Sequence, residues 1–154
     1  MSSLHFITAS SSGHTDYVIR ALVAYLTEKA PKVTVEVQCA ELCESVDFLR
    51  GDVLLLACGT WNTGGSEGQL NPHMHALLRE RAKDIDLQGK KVAVIGLGDA
   101  RYRYTARAKD LLEEFVTTHG GTLLVPSLKI VNEPYGQEDA VRAWAQKLSA
   151  AISA

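Results

Sequence analysis

Residues 4–15 read Leu4-His5-Phe6-Ile7-Thr8-Ala9-Ser10-Ser11-Ser12-Gly13-His14-Thr15, an apolar run that gives way to hydroxyl side chains around one glycine. The run at residues 4–8 has the length and composition of a buried strand. An amphipathic helix begins near Thr15, with Val18, Leu22, Tyr25 and Leu26 on one face. At the turn between them, hydroxyls, free backbone N–H groups and the partial positive charge of the helix N-terminus converge, which suits the loop to a phosphate. Residues 10–15 contain no Lys or Arg, whereas the NTPase loop ends in Gly-Lys-Ser/Thr. The loop therefore suits a phosphate that is held, not one that is transferred. The same residues also fit a polar turn with a Ser or Thr N-cap.

The strand–helix unit repeats along the chain. Further strands are read at residues 33–37, 53–58 and 91–96, with an irregular fifth over 122–131 interrupted near Pro126. Val53-Leu54-Leu55-Leu56-Ala57 and Val92-Ala93-Val94-Ile95 are continuous apolar runs, as central parallel strands covered on both faces require. Helices are expected in each interval. After the fourth strand Ala108, Leu111, Leu112, Phe115 and Val116 share a helical face, and near the end Val141, Trp144, Leu148 and Ile152 do the same. Gly120-Gly121 ends the former with a left-handed C-cap. With right-handed crossovers these repeats make a doubly wound α/β sheet, whose ligands sit at the carboxyl ends of the strands. At 154 residues with no Pro/Ser/Gly linker, the chain reads as one domain over 1–154.

Composition narrows the function classes. Hydrophobic residues at 46% and charged residues at 22% are ordinary for a globular domain. A formal net charge of −2 with no basic stripe argues against nucleic acid. No apolar run is long enough to span a bilayer and the first residues lack signal-peptide character, so no membrane partner and a cytoplasmic location are expected. Cys39, Cys43 and Cys58 form neither a C-x-x-C pair nor an even framework and read as reduced thiols, with Cys58 in the core at a strand end. His73 and His75, two apart on a helix, point to different faces, which argues against a shared zinc ion. No phosphatase Cys-x5-Arg cradle or receiver-type acidic pair is present. Ser10, Ser11 and Ser12 have only His14 nearby as a base, with no carboxylate to orient it. No catalytic residue and no metal ligand is assigned.

Two more strand-end loops carry distinctive residues. After the third strand comes Gly59-Thr60-Trp61-Asn62-Thr63-Gly64-Gly65-Ser66-Glu67-Gly68, read as a flexible loop; Trp61 either packs over the sheet edge or offers a stacking platform. After the fourth comes Gly96-Leu97-Gly98-Asp99-Ala100-Arg101-Tyr102-Arg103-Tyr104, where the glycines are read as letting the backbone approach a ligand. Gly96 and Gly98 are not a dinucleotide fingerprint, because they follow the fourth strand and lack the third glycine. Two aromatic-bearing loops beside a phosphate cradle suggest a planar ligand with a phosphate.

These residues resemble those of a known family. Ser10-Ser11-Ser12-Gly13-His14-Thr15 is similar to the S-x-T-G-N-T phosphate loop of flavodoxins, Thr60-Trp61-Asn62-Thr63-Gly64 to their T-W-x-x-G loop, and Gly96-Leu97-Gly98-Asp99-Ala100-Arg101-Tyr102 to their G-x-G-D-x-x-Y loop. Ser127-Leu128-Lys129-Ile130 and Asp139-Ala140-Val141-Arg142-Ala143-Trp144-Ala145 resemble the family's fifth strand and last helix, and without a long insertion in that strand the chain looks like a short-chain member. The resemblance implies a five-stranded parallel sheet of order 2-1-3-4-5 with helices on both faces. It implies FMN as cofactor, its phosphate on Ser10, Ser11, Ser12, Gly13, His14 and Thr15, with Trp61 over one ring face and Tyr102 over the other. In the family, the peptide after the Trp turns its carbonyl toward flavin N5 when the semiquinone forms, which maps here to Asn62-Thr63. Thr60, Thr63, Gly64, Leu97, Gly98, Asp99 and Tyr104 complete the implied contacts.

The implied function is a low-potential one-electron carrier, not itself an enzyme, that docks transiently to an NAD(P)H-dependent or other flavodoxin reductase and to redox acceptor proteins. Two other readings share the fold: an FMN-dependent quinone or NAD(P)H-linked reductase, and a non-redox module with a degenerate phosphate loop. Three departures from the family pattern stand out. His14 replaces the usual Asn; protonated, it would add positive charge beside the phosphate and raise FMN affinity toward mildly acidic pH. Arg101 and Arg103 flank Tyr102 and are expected to make the hydroquinone couple less negative. With 16 basic and 18 acidic residues the chain is less acidic than the family habit, so docking is expected to be weaker or more salt-tolerant.

Overall fold

The computed structural model describes residues 2–101 and 105–153. Five segments form the parallel sheet: β1 (Ser2–Ala9), β2 (Val33–Cys39), β3 (Val53–Thr63), β5 (Lys91–Gly98) and a split last strand, β6 (Thr122–Leu123) with β7 (Leu128–Val131). Their order is β2-β1-β3-β5-β6, with β7 also pairing with β5. Counting β6 and β7 as two halves of one strand on either side of Pro126, this is the expected 2-1-3-4-5 order. Register places Phe6 beside Leu55 and Leu55 beside Ala93, so the apolar runs occupy the centre.

The period-two alternation of these strands divides the core in two. Ile7, Leu54, Leu56, Val92 and Val94 face α3 (Arg107–Thr118), which packs Ala108, Leu112, Phe115 and Val116 against them, and α2 (Pro72–Ala76), which adds Met74. Phe6, Leu55, Ala57, Ala93 and Ile95 face α1 (His14–Lys29) and α4 (Glu138–Ser153), which supply Val18, Leu22, Leu26, Val141, Trp144 and Leu148. Both faces are covered, as the unbroken apolar strands required. Gly120 sits at φ +90 and the Gly121 N–H donates to Val116 O at 2.9 Å, the left-handed end expected for α3.

Two expectations are corrected. Between β2 and β3 there is no α-helix, only 3-10 turns at Ala40–Leu42 and Ser45–Leu49. Carbonyls that a helix would bond internally are instead taken by two cations from elsewhere in the chain. The Arg81 guanidinium, at the end of a π-helical turn (Leu77–Arg81), donates to Ala40 O, Glu41 O and Cys43 O, and Lys90 Nζ donates to Leu49 O, Arg50 O and Gly51 O. The flexible loop read at residues 59–68 is a β-hairpin. The third strand runs on to Thr63 and β4 (Ser66–Leu70) pairs back antiparallel, Thr60 opposite Leu70 and Thr63 opposite Ser66. Gly64 and Gly65, at φ +66 and +79, make the two-residue turn that only positive φ allows to match the strand twist.

Candidate functional site

At the carboxyl ends of β1, β3 and β5 lies a cleft of about 460 Å³, within the range of roughly 300–1,000 Å³ usual for small-molecule sites. One end is formed by the β1–α1 loop, where Ser11, Ser12, His14 and Thr15 line the space. Gly13 caps α1 at φ +90 with nothing within 4 Å of an added Cβ, so the chain turns sharply into the helix with open space above it. At the head of α1 the amides of His14 and Thr15 precede the first intrahelical bond and suit an anion, while Tyr17 N is already taken by Gly13 O at 3.0 Å. Ser10 does not line the cleft; its hydroxyl accepts from Gly13 N at 3.2 Å and Asp16 N at 3.4 Å and shapes the loop from behind. Asn71, fully buried, anchors the same loop: its Nδ2 donates to Ser11 Oγ at 2.9 Å while its Oδ1 accepts from His73 N. The Asn71-Pro72 pair is legible as a helix start, but its reach to residue 11 is tertiary.

A second wall belongs to β3 and its hairpin. Trp61 lines the cleft with 38% of its surface exposed. Gly59 makes this possible, because a Cβ there would come within 3.2 Å of Trp61 Nε1. Asn62, Glu67 and Gly68 continue the wall. The Thr60 hydroxyl is committed within the protein: it donates to Leu97 O at 2.8 Å and accepts from Ala108 N at 2.9 Å, tying the ends of β3 and β5 to the first turn of α3. Thr63 Oγ1 donates to Leu70 O and closes the hairpin, outside the cleft. Gly64, in the turn, also lies outside it.

Leu97, Gly98, Asp99 and Arg101 form the third side. The glycines here are corrected in role. A Cβ on Gly96 would lie 2.4 Å from Lys109 N and one on Gly98 2.0 Å from Ala106 N. They admit the start of α3 across the strand end, and only Gly98 also borders the cleft. Asp99 and Arg101 form an ion pair, with Nη2 to Oδ2 at 2.6 Å and Nε within 3.0 Å of both oxygens. The guanidinium, chiefly through those hydrogen bonds, holds the Asp99 carboxyl below its usual range. Arg101 is thus a paired charge that is 81% exposed, not an isolated cation over the cleft. Tyr102, Arg103 and Tyr104 lie outside the described residues.

The fourth side, from the segment after β7, was not anticipated. Asn132 and Glu133 line the cleft. Asn132 adopts φ +67, accepts from Ala100 N at 2.8 Å and donates its own N–H to Gly98 O at 2.7 Å. An Asn in a turn after a strand signals positive φ, yet its partners are more than thirty residues away. Of the residues read from sequence, Ser11, Ser12, His14, Thr15, Thr60, Trp61, Asn62, Leu97, Gly98 and Asp99 meet around one cleft. Among the described residues no group of three or more His, Cys, Asp or Glu is arranged to hold a metal ion. Cys58 is buried with its thiol pushed up to about 12 by desolvation.

A family model described as flavodoxin matches residues 7–144. The chain is 30% identical over 145 residues to a flavodoxin of Maridesulfovibrio salexigens, covering 94% of each chain. It is 29% identical over 139 residues to a probable flavodoxin 2 of Bacillus subtilis, covering 90% of this chain and 88% of that one. The crystal structure of oxidised flavodoxin 2 from Bacillus cereus superposes with a TM-score of 0.85 at 27% identity, covering 96% of this chain and 98% of that one.

Proposed function

The chain belongs to the flavodoxin family and carries electrons on FMN, and from that premise we propose how its own residues hold the cofactor and set its behaviour. FMN requires an anion site at one end of a cleft and flat apolar cover at the other. The cleft has both: Ser11, Ser12, His14 and Thr15 at the head of α1, and Trp61 on the wall built by β3. That juxtaposition is the observation that carries the reading. Bound there, FMN supplies one-electron oxidation and reduction, while the protein sets orientation, water access and local charge.

In this reading the hydroxyls and α1 amides fix the phosphate, with Ser10 and Asn71 holding the loop in shape. Trp61 covers one ring face, and Asn62-Thr63, at the bulged start of the hairpin, offer a backbone carbonyl to the ring edge. Thr60 acts through its backbone, since its hydroxyl is occupied. Among the described residues, three carboxylates, Glu67, Asp99 and Glu133, border the cleft with one guanidinium, Arg101. Carboxylates so placed disfavour added electrons and favour low potentials. The partners are a reductase and acceptor proteins that dock transiently over this rim, and the protein acts as their carrier, with no enzymatic activity of its own. Its three free thiols suit a reducing compartment, the cytoplasm.

The test is the visible spectrum of the purified protein during stepwise reduction. Oxidised flavin bands that bleach in two resolved one-electron steps support the reading. A colourless protein that takes up no added FMN refutes it, and NADPH oxidation without an added reductase moves the chain to the enzyme class.

A further inference from the structure

Three rings stand in series beside the phosphate end of the cleft. Tyr135 meets His14 edge-on, with centroids 5.7 Å apart and planes at 90°, and meets Tyr17 at 4.8 Å and 72°. Tyr135 is 54% exposed, so core burial does not explain its place. The segment that carries it is fastened on both sides. Asn132 bonds the β5 loop, and Gln137 Nε2 donates to Val131 O at 2.8 Å and Glu133 O at 2.6 Å. The Tyr17 hydroxyl donates to Glu138, whose carboxylate also accepts from Gly136 N at 3.3 Å. Tyr135 is therefore held at a fixed point against the first turn of α1, where His14 faces the cleft.

An unsupported His14 at the head of a helix would sample several rotamers, and ordering it on a ligand would cost side-chain entropy. An imidazole keeps at least one N–H donor in either tautomer or charge state. Fixed in place, it offers an anion a directed hydrogen bond. We propose that Tyr135 is a positioning residue that holds the His14 imidazole at the phosphate end of the cleft, so that the chain selects FMN over riboflavin, which lacks the phosphate. The inference rests on the FMN reading above.

Fluorescence titration of the apoprotein with FMN and with riboflavin tests it, because riboflavin binding reports the ring site alone. Tyr135→Ala is expected to weaken FMN binding about three- to tenfold, part of the value of one hydrogen bond to a charged group, and to leave riboflavin within about twofold. Tyr135→Phe keeps the ring and is expected to behave as wild type. Because Tyr135 acts through His14, the double variant with His14→Ala is expected to bind FMN no more weakly than His14→Ala alone. An unchanged FMN-to-riboflavin ratio in Tyr135→Ala, equal loss of both ligands, or additive effects of the two substitutions overturns the inference while the FMN reading stands. A wild-type protein that binds neither flavin overturns both.

Discussion

Gly96→Ala separates two roles for the glycines at the end of β5. If Gly96 exists to let the backbone approach a ligand, a methyl group there costs FMN affinity and leaves the fold alone. The structure puts the cost elsewhere. Gly96 does not border the cleft, and its added Cβ would lie 2.4 Å from Lys109 N and 2.6 Å from Lys109 Cα and Cβ. Ordinary contact begins at 3.4 Å, so the start of α3 must retreat by 3.4 − 2.4 = 1.0 Å. The atoms met first are backbone, which no rotamer change relieves, and α3 carries buried Ala108, Leu112, Phe115 and Val116. The cost therefore falls at the upper end for overpacking, about 3 kcal/mol. With a urea m-value of about 2 kcal/mol/M, the unfolding midpoint drops by about 1.5 M. The melting temperature falls by about 6–12 °C. Urea titration followed by far-UV circular dichroism measures the first, and a midpoint within about 0.3 M of wild type would refute the packing account.

Thr60→Val leaves Leu97 O and Ala108 N without their shared hydroxyl and is expected to cost about 1–3 kcal/mol, read as a thermal shift of about 2–12 °C; a shift under one degree would show the bond to be idle. Arg101→Gln removes the partner of Asp99 and makes the cleft one charge more negative. Across roughly 10 Å that is about 1 kcal/mol before screening, but the side chain is 81% exposed, so solvent leaves a few tenths. The more negative one-electron potential is expected to fall by about 10–20 mV, and a rise on redox titration would contradict this. In the native protein a thiol reagent at pH 8 is expected to titrate one cysteine, exposed Cys39, because Cys43 and Cys58 are buried with thiols pushed up to about 12; three fast-reacting thiols would count against the core described. The Ser3 N–H and hydroxyl, both donating to Asp52, hold its carboxyl below the usual range. A depressed carboxyl stabilises the fold above its unfolded pKa and loses that effect as pH falls through the folded value. Asp52→Asn is therefore expected to be less stable than wild type near neutrality, with the gap closing below about pH 4; a constant gap would show that the carboxylate charge is not involved.

What was legible in the chain follows the range of the forces involved. Val53-Leu54-Leu55-Leu56-Ala57 announces a strand covered on both faces because alternation and burial act over a few residues. The helical stripes of α1, α3 and α4 were readable for the same reason. The turn at Gly64-Gly65 was also written locally, yet a run of small polar residues read as a loop because pairing with Leu70 and Gln69 completes the hairpin. Residues 40–52 show the opposite case. Leu42, Val46 and Leu49 fall at helical spacing but are exposed, while Arg81 and Lys90 capture the local carbonyls from about forty residues away. Asn71, Asn132 and Glu133 contribute to the site through tertiary placement, for which no periodicity or short motif stands in.

The cleft and the stability of the sheet are built from the same contacts. Gly98 brings α3 against the end of β5, Thr60 ties that junction to β3, and Asn132 ties it to the last strand. Each of these contacts also fixes a wall of the cleft. A protein arranged this way presents a preformed site, so little ordering opposes binding. In the proposed reading its potentials are set by fixed positions of Trp61, Asp99 and Glu133, which line the cleft, rather than by a surface that reshapes around the ligand. The phosphate loop is the contrasting part. It holds no Lys or Arg and is kept in shape by Ser10, Asn71 and the head of α1, so in the proposed reading its affinity depends on how well its donors are kept in place. That dependence gives an exposed aromatic such as Tyr135 leverage over binding, because in a loop that holds no Lys or Arg the direction of each donor decides how tightly the anion is held.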